Sequence, residues 1–164
     1  MSGGCSESKP DPPTEKKAPA TLRKRFRLEN QGTKIEVSIP RSEGESDSGS
    51  YRAQVQDLSG SVQILEGERR GYLRDAWFVD VGNDETTQLV IWVEPKSGPT
   101  QLDWYEVLDG EWQSRTLPSL DGAWTYHIRR GQFYAEPIDD ADSGGYTYSV
   151  PQNQWVPGLP NFED

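Results

Sequence analysis

The chain holds a single histidine and a single cysteine, which leaves little for histidine, thiol or Cys/His zinc chemistry. His127 lies between Tyr126 and Ile128 in an alternating stretch. No nucleophile elbow, phosphate-binding loop, dinucleotide fingerprint or Cys/His zinc pattern accompanies it. It reads as a strand residue rather than a catalyst. Carboxylates are plentiful, with 27 Asp and Glu. Glycoside hydrolysis would need two of them at a set separation in unequal environments, and the linear order supplies neither. Asp80-Val81-Gly82-Asn83-Asp84-Glu85 offers oxygen ligands at alternating positions, as a calcium loop would, but lacks the bidentate glutamate that closes such a loop. The same residues make a polar hairpin turn, which is the reading taken here. No metal and no cofactor is expected. Six tryptophans could stack on sugar faces, but their spread along the strands points to core use.

One stretch could do chemistry of another kind, by presenting groups to a partner. Lys96-Ser97-Gly98 is a small polar tip held between Pro95 and Pro99. A plain two-residue hairpin is usually written Asn-Gly or Asp-Gly. A tip stiffened by prolines is either an ordinary turn or a presented surface.

The elements that must carry this tip are strands. Ile35, Val37 and Ile39 alternate and stop at Pro40. Leu22 to Leu28 alternates basic and apolar residues, as an edge strand with a charged outer side does. Ser42 to Ser50 is acidic, serine-rich and read as a mobile, strandless loop. Tyr51 to Gln56 and Val62 to Leu65 are short strands. Leu73 to Val81 and Gln88 to Glu94 form a hairpin around the acidic turn, with Leu89, Ile91 and Val93 on one side. Leu102 to Leu108 returns through Asp109-Gly110, a strong hairpin signal, into Trp112 to Leu117. Asp121-Gly122, Arg130-Gly131 and Gly144-Gly145 punctuate Trp124 to Arg129, Gln132 to Glu136 and Tyr146 to Val150, and Gln154 to Val156 closes the series. Turns about every ten residues and no amphipathic helix predict an all-β fold: a single antiparallel β-sandwich or barrel-like domain over residues 22–164.

Residues 1–21 differ in kind. Glu7 to Thr21 is rich in Pro, Lys and Glu with almost no large apolar side chain, which predicts a disordered tether. Met1-Ser2-Gly3-Gly4-Cys5-Ser6 resembles the end of a bacterial lipoprotein signal, in which small residues precede a cysteine that becomes lipidated. On that reading Met1 is a cloning start and Cys5 attaches the chain to a membrane. A lone cysteine forms no intrachain disulfide, and no stretch has the length and apolarity of a membrane-spanning helix. The formal net charge of −10 argues against a nucleic-acid partner, which would need Lys and Arg for its phosphates. Such acidity suits a basic protein partner, or simply solubility. The hydrophobic fraction of 32% and mean hydropathy of −0.85 are low, so the core must lean on aromatics.

Gly49-Ser50-Tyr51-Arg52, the run Gly71 to Trp92, Lys96-Ser97-Gly98 with its following aromatic strand and Asp-Gly turn, and Ser143-Gly144-Gly145-Tyr146-Thr147-Tyr148 with Gln154-Trp155 occur in the order and spacing of one family. From Pro40 to Trp155 the chain resembles the bacterial periplasmic inhibitors of invertebrate-type (i-type) lysozymes. The resemblance implies an all-β binding protein and no enzyme. It implies a periplasmic or outer-membrane-anchored site in a Gram-negative bacterium. The implied partner is a basic lysozyme whose active-site cleft is occluded by loops. In that family a Ser-Gly-x-Tyr motif enters the cleft. Here Ser97 and Gly98 match, Pro99 takes the variable place, and Thr100 stands where tyrosine is expected, a departure that removes an aromatic anchor. Lys96, Ser97, Gly98 and Thr100 are the implied contact loop, and Ser143, Gly144, Gly145 and Tyr146 the second. The alternative class is a cell-wall or carbohydrate-binding module without inhibitory action.

Overall fold

The computed structural model describes residues 25–43, 46–138 and 144–162. Strands β1 (Arg25–Asn30), β2 (Thr33–Ser38), β3 (Gly49–Gln56) and β4 (Val62–Arg69) form one sheet in chain order. Strands β5 (Tyr72–Val79), β6 (Gln88–Glu94), β7 (Gln101–Leu108) and β8 (Glu111–Thr116) form a second. Strands β9 (Trp124–Arg129), β10 (Gln132–Pro137), β11 (Tyr146–Ser149) and β12 (Gln154–Pro157) form a third. Every pairing is antiparallel. The only helical turn among the described residues is Arg41–Glu43. The all-β antiparallel expectation holds, with three sheets stacked rather than two.

The second sheet is the middle layer, and its sequence says why. In β6 every residue from Gln88 to Val93 is buried. Leu89, Ile91 and Val93 enter a core shared with Phe26, Ile35, Val37, Tyr51, Ala53 and Val55 of the first sheet. Val90 and Trp92 enter another, shared with Tyr126, Phe133, Ala135 and Tyr148 of the third. A strand buried on both sides is written as a continuous apolar run rather than as alternation. The second core is the aromatic one. Trp92 packs edge-on to Tyr126, and Trp155 reaches Tyr126, Phe133 and Tyr148. The indole N–H groups of Trp92, Trp104, Trp124 and Trp155 each find an oxygen acceptor, as amphipathic rings require when they are packed inward.

Turn chemistry closes the hairpins. Asp109-Gly110 and Arg130-Gly131 both carry positive φ at their two central positions, the backbone that matches strand twist. Gln31-Gly32 does the same between β1 and β2, a turn the sequence reading passed over. Gly67 lies opposite Tyr51, where any Cβ would run into the Tyr51 ring.

The stretch Ser42 to Ser50 departs from its reading as a mobile, strandless loop. Gly49 and Ser50 already belong to β3. Glu43 accepts from the Ser50 amide at 2.9 Å and its hydroxyl at 2.7 Å. These bonds, the Ser50 amide's first, hold the Glu43 carboxyl below the usual carboxylate range. Local composition suggested a loop; hydrogen bonds join Glu43 to the start of β3.

Candidate functional site

The β6–β7 connection rises from a buried base. Pro95 and Thr100 are buried, while Lys96, Ser97, Gly98 and Pro99 are exposed. The tip therefore points into solvent between two anchored ends. Gly98 has φ +91° and open space where a Cβ would lie, so glycine serves the backbone conformation there. Thr100 is 5% exposed and its side chain faces the Tyr126 hydroxyl. It lies at the buried base of the loop. A tyrosine placed there would overfill the site rather than restore an anchor.

Two further segments share this end of the stack. Lys96 pairs with Asp47 of the β2–β3 connection at 3.3 Å, an exposed pair of small energetic weight, about 0–1 kcal/mol. At the opposite end the Gly82 amide donates to the Gly131 carbonyl at 2.7 Å, so the β9–β10 hairpin sits by the β5–β6 turn. β10 therefore ends, and β11 begins, toward the end that carries residues 95–100. The register agrees: Thr100 faces Tyr126, Tyr126 pairs with Ala135, and Ala135 pairs with Tyr146. Gly144 and Gly145 lead into Tyr146. A Cβ on Gly145 would collide with Leu159 and the Ala135 carbonyl. Tyr146 is half-buried and meets Trp124 edge-on at 5.4 Å. Ser143 and Cys5 lie outside the described residues.

Beneath this end lies a polar network that the sequence reading missed. The Tyr51 hydroxyl donates to Asp103 Oδ2 at 2.5 Å and shares a 2.6 Å bond with the Tyr105 hydroxyl. Gln101 Nε2 donates to the same Asp103 oxygen at 2.9 Å, and Thr116 Oγ1 donates to the other at 3.3 Å. Asp103 and Tyr105 are buried and alternate with Trp104 along β7. Alternation alone shows that they share a side, but the Tyr51 partner comes from 52 residues away. A shallow groove between β4 and β8, lined among others by Glu66, Glu68, Arg70, Asp103 and Tyr105, opens beside it.

The other sequence-derived candidates fall into structural roles. Asp80 accepts from the Asp84 and Glu85 amides at 3.1 and 2.8 Å. Asp84 accepts from the Thr86 hydroxyl at 2.7 Å, the main cause of its lowered pKa. These carboxylates fold the turn by capping their own backbone, and no group of three or more potential ligands gathers among the described residues. His127 is half-exposed, stacks on Tyr134 at 5.0 Å and holds Nε2 at 3.0 Å from Glu136.

No protein-family model matches the chain, and no curated protein does. Among solved structures, the periplasmic lysozyme inhibitor of I-type lysozyme from Aeromonas hydrophyla, PliI-Ah, is similar at 18% sequence identity over 58% of this chain and 85% of that one, with a TM-score of 0.45. A likeness of that degree carries no argument about what this chain binds.

Proposed function

We propose that this protein is a binding protein, not an enzyme, which inhibits a lysozyme by seating its β6–β7 loop in the active-site cleft. The observation that carries the reading is the loop itself: an exposed Lys96-Ser97-Gly98 tip between two buried ends. A lysozyme cleft holds two catalytic carboxylates and is shaped for a sugar chain. The Ser97 hydroxyl would donate to one carboxylate, and Lys96 would exchange Asp47 for another. Proline on both sides lowers the entropy lost on docking. Gly144, Gly145 and Tyr146, with Ser143 before them, would line the other wall. The acidic chain would steer a basic, i-type lysozyme toward it. In this reading residues 1–21 are a tether, Cys5 carries the lipid, residues 22–164 are the inhibitory domain, and the protein works in the periplasm or anchored at the outer membrane.

Titration into i-, c- and g-type lysozymes tests this. Ser97→Ala should weaken inhibition about ten- to a hundred-fold, the worth of one hydrogen bond to a charged group at roughly 1.5–3 kcal/mol. Its melting temperature should stay at the wild-type value, because the side chain is exposed. Inhibition of every lysozyme equally by wild type and variant, or of none, would refute the reading. Binding to peptidoglycan without inhibition would favour the cell-wall module instead.

A further inference from the structure

Arg69 has a fully buried side chain, 0% exposed, in a strongly acidic chain, and Gln101 of the network around Asp103 holds the backbone on either side of it, accepting from the Arg70 amide and donating to the Glu68 carbonyl. Its guanidinium is used almost completely. Nε donates to the Ser50 carbonyl at 2.8 Å, Nη1 to the Ser46 and Gly71 carbonyls at 2.8 Å each, and Nη2 to Glu43 at 3.1 Å. Four points of the chain are thereby joined: the helical turn within the β2–β3 connection, Ser46 later in that connection, the start of β3 and the β4–β5 corner. A planar fork with five donors does this and an ammonium cannot.

The corner in turn abuts the base of the exposed loop. A Cβ at Gly71 would collide with the Glu94 carbonyl and the Pro95 Cα, so the two backbones touch. The β2–β3 connection reaches the same loop through Asp47 and Lys96. Both routes from Arg69 therefore end at residues 94–96. We propose that Arg69 is a positioning residue for the Lys96-Ser97-Gly98 tip, acting through Gly71 and through Asp47, so that the loop is held in one arrangement before any partner arrives. This rests on the binding role proposed above. It adds the device that keeps the ordering cost of docking low.

Two variants test it. Arg69→Lys keeps the charge and loses the fork, while Gly71→Ala keeps the arginine and forces the corner, whose carbonyl is one of its acceptors, away from Pro95. Backbone amide order parameters are the readout. In wild type Ser97 and Gly98 should lie near the rigid value of about 0.85, and in both variants they should fall below about 0.6. The amides of Val90 and Ile91 should remain rigid, and lysozyme inhibition should weaken about ten-fold. Unchanged Ser97 and Gly98 amides in a folded variant would overturn the inference. So would a loosening that spreads equally to β6, which marks a purely structural role. If Arg69→Lys does not fold, Gly71→Ala decides alone. If wild type inhibits no lysozyme, the binding role fails, while the order parameters still decide whether Arg69 positions the loop.

Discussion

Replacing Tyr51 by phenylalanine removes one oxygen from the centre of the molecule and leaves the ring in place. That oxygen both donates to Asp103 at 2.5 Å and contacts the Tyr105 hydroxyl at 2.6 Å. With Tyr51 donating to the carboxylate, Tyr105 must be the donor between the two phenols. Losing the bond to a charged acceptor costs roughly 1.5–3 kcal/mol, and stranding the Tyr105 donor adds about 1 kcal/mol. The expected loss is about 2.5–4 kcal/mol. Tyr105→Phe deletes only the neutral outer bond and should cost about 0.5–1.5 kcal/mol. Urea unfolding with a slope of about 2 kcal/mol/M would show Tyr51→Phe as a midpoint drop of more than about 1 M, and Tyr105→Phe as less than about 0.8 M. Alkaline titration gives the second signature. Burial, then the Asp103 charge, pushes the Tyr51 hydroxyl far above its ordinary pKa, and burial also raises Tyr105, Tyr126 and Tyr148. A pKa raised in the folded state means full stability below about pH 10, lost as pH rises beyond it, by about 1.4 kcal/mol per pH unit for each such tyrosine. Tyr51→Phe should make that fall shallower by one tyrosine. Equal destabilisation by the two variants, or an alkaline slope unchanged by Tyr51→Phe, would refute the chain of hydroxyls from Tyr105 through Tyr51 to Asp103.

Melting curves in calcium and in chelator should coincide, because the Asp80 and Asp84 oxygens already accept from backbone amides of their own turn; a calcium-dependent rise would show ligand binding to the native state. Association with a basic lysozyme should slow as salt rises from about 0.01 to 0.15 M, since screening shortens the reach of the acidic field, and a salt-independent rate would remove steering from the account. Thr100→Tyr, at a position 5% exposed, should lower stability by about 1–3 kcal/mol through overpacking. A neutral effect in thermal unfolding would mean that Thr100 is not held inside.

Wherever local chemistry sufficed, the sequence determined the outcome. Alternation placed the strands, and β6 and β9 begin and end where the periodicity does. Asp109-Gly110 and Arg130-Gly131 specified their turns because a left-handed backbone pair is a property of two residues. The exposed Lys96-Ser97-Gly98 tip was legible for the same reason, as proline and glycine act on their own backbone. Period two put Leu89, Ile91 and Val93 on one side of β6, but not which sheet would cover them. What only the tertiary structure decided were contacts between distant segments. Thr100 reads as part of the loop tip, and only the structure shows it 5% exposed, with Tyr126 of another sheet beside it. Ser42 to Ser50 looked loose until Arg69 and Glu43 met across 26 residues. Tyr51 and Asp103 carry no motif, because a hydrogen bond between sheets follows from how two surfaces stack and leaves no periodic trace along either strand.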